Sequence, residues 1–139
     1  MKKIILKGRD FPLIHKVADL LKKDVTKPFT ISELAREVGI NTQKLNFGFK
    51  EVYNLSIYQY RVSLQVQLGL QLLEETDLSI KEIAYKTGFD SRDSMARVFK
   101  KKLGRCPTDW RKRQENGEEM KVSGFFPEVS VVTPKVSFP

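Results

Sequence analysis

The sequence predicts an all-α protein in which two helix-turn-helix subdomains are joined by a long linker helix. The segment TISELAREVGIN, residues 30–41, has a near copy, SIKEIAYKTGFD, at residues 79–90. Both copies start with a hydroxyl residue and a glutamate three positions later, and both carry a glycine where a helix would stop. Apolar residues between these signals recur with the 3.6-residue period of a helix. The chain of 139 residues is therefore expected to hold two similar helical units.

Start and stop signals divide the chain into five parts. These are an N-terminal segment with a leading helix at 1–28, a first helix-turn-helix unit at 29–55, a linker helix at 56–76, a second unit at 77–113 and a tail at 114–139. The tail contains prolines, glycines and scattered valines without helical period, so it is expected to be loose and irregular. A short strand within VSVV, paired with KKIIL, is an option for it.

Two helices lie outside the repeated segments. Asp10 is expected to cap the leading helix, over roughly residues 11–24. Ser56 is expected to cap the linker helix, roughly residues 57–75, which is apolar on two opposite sides. Such a helix is not a solvated connection, and we expect it to pack against both units and to fix their relative orientation.

The first copy contains a complete set of helix boundaries. Thr30 and Glu33 form a capping box, and Gly39 supplies a left-handed stop. The next helix is expected to begin after Asn41 and to stop near Asn54. The sequence therefore predicts a short supporting helix, a turn, and a second helix.

The second copy repeats these boundaries. Ser79 and Glu82 form the capping box and Gly88 the stop, with Asp90 as the next expected cap and Gly104 as the end of the second helix. The second turn is one residue longer than the first. The second helix of each copy is called here the reading helix.

Composition favours some classes of partner and excludes some classes of catalytic and metal site. The 25 Lys and Arg against 17 Asp and Glu give a net charge of +8, which favours a polyanionic partner, although a merely basic surface explains it equally well. One cysteine, Cys106, and one histidine, His15, exclude an internal disulfide, a zinc site of the common types and a His-based triad. An enzyme and a cofactor are not expected. The absence of a signal peptide or long apolar run predicts a cytoplasmic protein without a membrane partner, and it would be nucleoid-associated if its polyanionic partner is DNA.

A helix-turn-helix unit uses its second helix to reach base edges in the DNA major groove while the first crosses the backbone. A single such pattern is also typical of an ordinary pair of antiparallel helices. Two copies in a basic chain favour DNA binding.

Residues 29–113 resemble the DNA-binding domain of the AraC/XylS family of bacterial transcription regulators. The second half carries the most specific motifs, which are Ile83-Ala84, Gly88-Phe89, Arg97, Phe99-Lys100-Lys101, Gly104, Pro107 and Trp110-Arg111. The resemblance implies seven helices and two reading helices that enter adjacent major-groove segments of double-stranded DNA, about 34 Å apart. The family usually carries a sensing or dimerisation domain as well, so the sequence is either a stand-alone member or a C-terminal portion. RNA polymerase is a partner to expect if the helices bind a protein.

Residue chemistry suggests which side chains face the DNA. Amides bind adenine, arginine binds guanine, and an apolar ring touches a thymine methyl. The predicted base contacts are Gln43, Asn46, Phe47, Arg92 and Arg97. The predicted phosphate contacts are Thr42, Lys44, Lys50, Ser91, Lys100 and Lys101.

Three residues of the reading helices fit this interpretation less well. Phe47 is expected either to touch a thymine methyl or to fold back into the core. Gly48 is expected to weaken its helix by about 1 kcal/mol relative to alanine, and Asp93 completes a cap or accepts a hydrogen bond from cytosine. They keep a second hypothesis open, in which the helices bind a protein partner and DNA contact is vestigial.

Overall fold

The computed structural model describes residues 3–115, with side chains up to residue 112. This part of the chain forms seven helices and no strand: α1 (Asp10–Lys23), α2 (Ile31–Val38), α3 (Thr42–Tyr53), α4 (Ile57–Glu75), α5 (Ile80–Lys86), α6 (Arg92–Leu103) and α7 (Pro107–Glu115). The predicted all-α class is confirmed, with α2–α3 and α5–α6 as helix-turn-helix pairs and α4 between them. The strand predicted in the tail lies outside the described residues.

The chain divides into two compact units within α4, after Val62. The first unit contains α1, α2, α3 and the start of α4, and the second contains the rest of α4 with α5, α6 and α7. Each unit therefore has its own supporting helix and its own reading helix.

The supporting helices start with the predicted caps. The Glu33 amide donates to the Thr30 hydroxyl over 3.1 Å, and the Glu82 amide donates to the Ser79 hydroxyl over the same distance. Each hydroxyl satisfies one of the amides that have no partner within a helix at its start. In both predicted capping boxes, the hydrogen bond to the hydroxyl residue is thus confirmed.

Left-handed residues end three of the helical segments as predicted. Gly39, Gly88 and Gly104 have φ of 82°, 80° and 78°, a region that a residue without Cβ enters at little cost. Asn54 ends α3 with φ of 62° and is the one non-glycine residue with positive φ in the described chain. Asparagine tolerates this conformation better than most residues.

Two of the predicted caps are wrong. Asp10 is the first residue of α1, and its carboxylate accepts from the Lys7 amide over 2.7 Å, so it closes the turn that precedes the helix. Ser91, not Asp90, caps α6, and its hydroxyl accepts from the Ser94 amide over 3.0 Å. The longer second turn moves the cap one position along the chain.

The linker helix α4 begins and ends where the sequence predicts. The Ser56 hydroxyl accepts from the Gln59 amide over 3.1 Å, and the Gln59 side chain accepts from the Ser56 amide over 2.9 Å. Apolar residues from both of its opposite sides are buried, namely Tyr60, Leu64, Val66, Leu68, Leu72 and Leu73. Gln65 is buried as well, and its amide donates to the Thr87 carbonyl at the end of α5 over 3.1 Å.

Gly48 has a packing role that the sequence does not reveal. It is buried on α3, and a Cβ at this position would overlap Ile14 Cδ1 and lie 3.1 Å from Leu6 Cδ2. The missing side chain therefore lets α1 and the segment that precedes it approach the α3 backbone. Glycine is an unfavourable residue within a helix, and this close packing offsets part of that cost.

An arginine closes each unit at a matched position. Arg61, after the buried Tyr60, donates to the Val25 carbonyl over 3.1 Å in the loop before α2. Arg111, after the buried Trp110, donates to the carbonyls of Thr76 and Leu78 in the loop before α5. Both guanidinium groups hold the loop from which a supporting helix starts.

Candidate nucleic-acid interface

The reading helix α3 presents one polar stripe to solvent. Leu45 and Phe49 are fully buried on its inner side. The predicted contact residues Gln43, Asn46, Phe47 and Lys50 are exposed and follow the i, i+3, i+4, i+7 spacing of a single helix face. Thr42 is exposed at the first position of the helix. Four of the contacts predicted on this helix thus share its open side, whereas Thr42 is exposed only because it begins the helix.

Phe47 faces outward. Its side chain remains 39% exposed, so it does not belong to the buried core. The ring therefore does not fold back into the core. It is accessible to a base methyl or to the surface of a partner.

Lys44 lies apart from the polar stripe. Its ammonium is 3.3 Å from Asp10 Oδ2, and its side chain is only 24% exposed. Since residues four apart share a helix side, Lys44 lies on the same side of α3 as the buried Gly48, toward α1. A phosphate contact by Lys44, as predicted, would require this ion pair to open.

The carboxyl group of Asp10 is tightly held. The residue is 4% exposed, and the pKa of its carboxyl is lowered by the Lys7 amide hydrogen bond and by the nearby Lys44 ammonium, against the opposing effect of burial. Asp10 is consequently ionised at neutral pH. The sequence offers no local signal for this pair, because its members are far apart in the chain and belong to different helices.

The reading helix α6 has a more cationic open side. Met95 and Phe99 are fully buried. Exposed residues are Ser91, Arg92, Asp93, Arg97, Lys100 and Lys101, which include every contact predicted on this helix. By helical spacing, Arg97, Lys100 and Lys101 lie together on the open side of α6. Arg92 is exposed in the first turn but has the i, i+3, i+7 spacing of the buried side, and Ser91 caps the helix.

Helix physics accounts for part of this charge. Asp93 lies in the first turn of α6, where a carboxylate stabilises the positive end of the helix dipole. Lys100 and Lys101 lie in the last turn, where cations stabilise the negative end. Arg92 and Arg97 have no such explanation, since Arg92 is at the positive end and Arg97 is in the middle.

Sequence reasoning missed the roles of four side chains that bond the supporting helices, the loops before them or α3. Gln65 bonds the end of α5, and Arg111 bonds the loop before it. In the first unit, Arg61 bonds the loop before α2, and Asp10 is paired with Lys44 of α3. The duplicated Arg after an aromatic residue, at Tyr60-Arg61 and Trp110-Arg111, is the one signal in the sequence that could have identified two of them.

Other site classes find no support in the part of the chain that is described. Residues 3–115 contain no group of three or more His, Cys, Asp and Glu able to hold a metal ion. None of the seven helices combines the length and the apolar character that crossing a bilayer requires. His15 is exposed, and its Nδ1 lies 2.7 Å from the Tyr53 hydroxyl.

Comparison with known proteins identifies the family. A family model described as a helix-turn-helix domain matches residues 34–113. The transcriptional regulator GbdR of Pseudomonas aeruginosa is 27% identical over 111 residues, which cover 80% of this chain and 30% of GbdR. The chain spans about a third of the length of the curated relatives that it matches.

Solved structures agree on the fold. The DNA-binding domain of AdpA, determined in complex with a target DNA, superposes with a TM-score of 0.69 at 21% identity, covering 76% of this chain and 97% of that one. An AraC-type transcriptional regulator from Chromobacterium violaceum gives 0.70 at 20% identity, covering 81% and 100%. With its two helix-turn-helix pairs and the family match over residues 34–113, the chain belongs to the AraC/XylS family of transcription-regulator DNA-binding domains, which is not an enzyme family.

Proposed function

We propose that this protein binds double-stranded DNA in a sequence-specific manner and regulates transcription, with α3 and α6 as its two reading helices. One observation carries the proposal. Each helix buries apolar residues on one side and exposes mainly polar or cationic residues on the other, with Phe47 of α3 as an exposed aromatic residue among them. An exposed, chemically diverse helix face on a buried apolar support is what major-groove reading requires.

On this proposal the two helices read different bases. Gln43 and Asn46 are suited to paired hydrogen bonds with adenine, and Phe47 to a thymine methyl. Arg92 and Arg97 are suited to guanine O6 and N7, and each good pair contributes about 1–3 kcal/mol of discrimination. Since the reading faces differ, the two half-sites are expected to differ in sequence.

Phosphate contacts fix the protein on the duplex. Lys50, Lys100 and Lys101 supply exposed ammonium groups. The Ser91 hydroxyl accepts a hydrogen bond from the helix backbone and still has its own proton to donate to a phosphate oxygen. Thr42 supplies a second exposed hydroxyl, at the start of α3. Lys44 is not included, because its ammonium is bound to Asp10.

Selection from a random duplex library tests the proposal directly. The full chain should enrich a bipartite motif at about 50 mM salt, and its affinity should fall with salt by a log-log slope of about 0.9 for each neutralised phosphate. An unenriched pool, together with gel shifts that detect no duplex binding at this salt, would contradict the proposal.

Two alanine variants test the division between base and phosphate contacts. Arg97→Ala should relax the preference at one base position, whereas Lys101→Ala should weaken binding to all sequences alike and reduce the salt slope by about 0.9. The two exposed residues are one helical turn apart, so they are matched in location. Equal effects of the two substitutions on sequence preference would refute the assignment.

A protein-binding module is the second candidate function. The exposure of Phe47 and of Tyr85, which is 83% exposed on α5, supports it, because aromatic side chains are enriched in protein interfaces. RNA polymerase is a partner that fits a transcription regulator. A chain that binds polymerase but enriches no duplex would favour this alternative.

A further inference from the structure

The carboxylate of Asp10 binds Lys44, a lysine of α3 that lies outside the polar stripe. Asp10 Oδ2 accepts from the Lys7 amide over 2.7 Å and from the Lys44 ammonium over 3.3 Å. One oxygen therefore connects the turn before α1 to the first turn of α3.

We propose that Asp10 retains the Lys44 ammonium on the protein and withholds it from DNA phosphate, and so sets how many phosphates α3 neutralises. The inference rests on the proposed DNA-binding function. Asp10 acts through Lys44 and is a positioning residue, since it does not itself touch DNA.

The geometry of α3 supports this role. Lys44 and Gly48 are on the helix side that α1 and Leu6 cover, whereas Lys50 is on the exposed stripe with Asn46. The side chain of Lys44 is accordingly only 24% exposed, and that of Asp10 is 5% exposed. Both members of the pair are thus largely removed from solvent.

Burial makes the pair difficult to open. If Lys44 moved to a phosphate, Asp10 would remain as a nearly buried carboxylate that accepts from the Lys7 amide but no longer faces a cation at hydrogen-bond distance. Leaving one member of a buried ion pair uncompensated is unfavourable, because the desolvation cost of the remaining charge persists. We therefore expect the pair to stay closed when DNA binds.

The Asp10→Asn variant tests this expectation. Asparagine has the same shape, and its neutral side chain no longer retains Lys44 by charge. Duplex binding should strengthen at low salt, and the log-log salt slope should steepen by about 0.9, which is an additional loss of about 3.5-fold between 50 and 200 mM salt. Stronger binding without a steeper slope would overturn the proposal, because Lys44 would then already contact phosphate in the unsubstituted chain.

A pair of double variants separates Lys44 from general charge effects. Asp10→Asn/Lys44→Gln and Asp10→Asn/Lys16→Gln have equal net charge, and Lys16 is an exposed residue of α1. The first should return the slope to that of the unsubstituted chain, and the second should keep the steeper slope. Equal slopes for the two double variants would overturn the proposal.

A measurement without DNA tests the ion pair itself. Titration of the Asp10 carboxyl carbon by NMR should show a higher pKa in Lys44→Gln than in the unsubstituted chain, because the substitution removes a cation beside the carboxylate. An unchanged pKa would overturn the proposal. If the unsubstituted chain binds no duplex at any salt, the proposed function fails, and the NMR titration still decides whether Asp10 holds Lys44.

Discussion

Gly48 provides the sharpest test of how α1 packs on α3. Alanine at this position adds a Cβ that overlaps Ile14 Cδ1, the end of a fully buried side chain. Overpacking in a core typically costs about 1–3 kcal/mol, and replacing glycine by alanine in a helix recovers about 1 kcal/mol. We expect Gly48→Ala to lower the free energy of unfolding by about 1 kcal/mol.

Removing the overlapping methyl should reverse this result. Ile14→Val deletes Cδ1, and alone it should lower the free energy of unfolding by about 1 kcal/mol through the lost methyl contacts. In the double variant the alanine Cβ occupies the space that Cδ1 leaves, and the helix keeps its gain of about 1 kcal/mol. The double variant should therefore be about as stable as the unsubstituted chain, a favourable coupling of about 2 kcal/mol.

Urea unfolding followed by far-ultraviolet circular dichroism measures each corner of this cycle. Gly8→Ala is the matched control, because a Cβ on Gly8 meets no atom within 4 Å. Its effect should add to that of Ile14→Val within about 0.5 kcal/mol. If Gly48→Ala and Ile14→Val are also additive within this margin, the close approach of Ile14 to Gly48 is refuted.

Three further predictions concern buried polar groups. Gln65→Leu should lower the free energy of unfolding by about 1–3 kcal/mol in urea, because the Thr87 carbonyl loses its buried donor; a change below about 0.5 kcal/mol would contradict this. Tyr60→Phe should raise the free energy of unfolding by about 1 kcal/mol, because it removes a buried hydroxyl for which the described residues offer no hydrogen-bond partner; a decrease of similar size would show that the hydroxyl has one. Asp10 has a carboxyl pKa below its ordinary 3.8, so its contribution to stability is present above that pH and is lost as the pH falls through the lower folded value. The urea midpoint should accordingly fall less in Asp10→Asn than in the unsubstituted chain between about pH 5 and about pH 2.5, and equal losses would contradict this.

The fold could be predicted because its signals are local. Capping residues and glycines identify helix ends within a few positions, and the duplication states most of them twice. The cap of α6 shows the limit of this reasoning, since Asp90 and Ser91 are both good caps and only the three-dimensional turn selects Ser91. Matching Ser91 to Asn41 across the repeat would have given the correct answer.

The candidate site could be predicted only on its open side. Helical spacing alone places Gln43, Asn46 and Lys50 together, and the same spacing would have set Lys44 apart. The ion pair of Lys44 could not be predicted in this way, because its partner Asp10 belongs to another helix. The close approach at Gly48 is equally invisible in the sequence, where the glycine counts only as a weak helix former.

Each of the two closing arginines joins two distant residues of its unit, so that the chain between them forms a closed ring. Arg61 reaches back 36 residues to Val25, and Arg111 reaches back 35 residues to Thr76, so the two rings have nearly equal circumference. For a flexible chain, the entropy cost of bringing two residues together grows only slowly with the number of residues between them. Neither arginine and neither acceptor belongs to a reading helix, so substitutions on the reading faces leave both closing hydrogen bonds in place, and the two units can diverge in what they read.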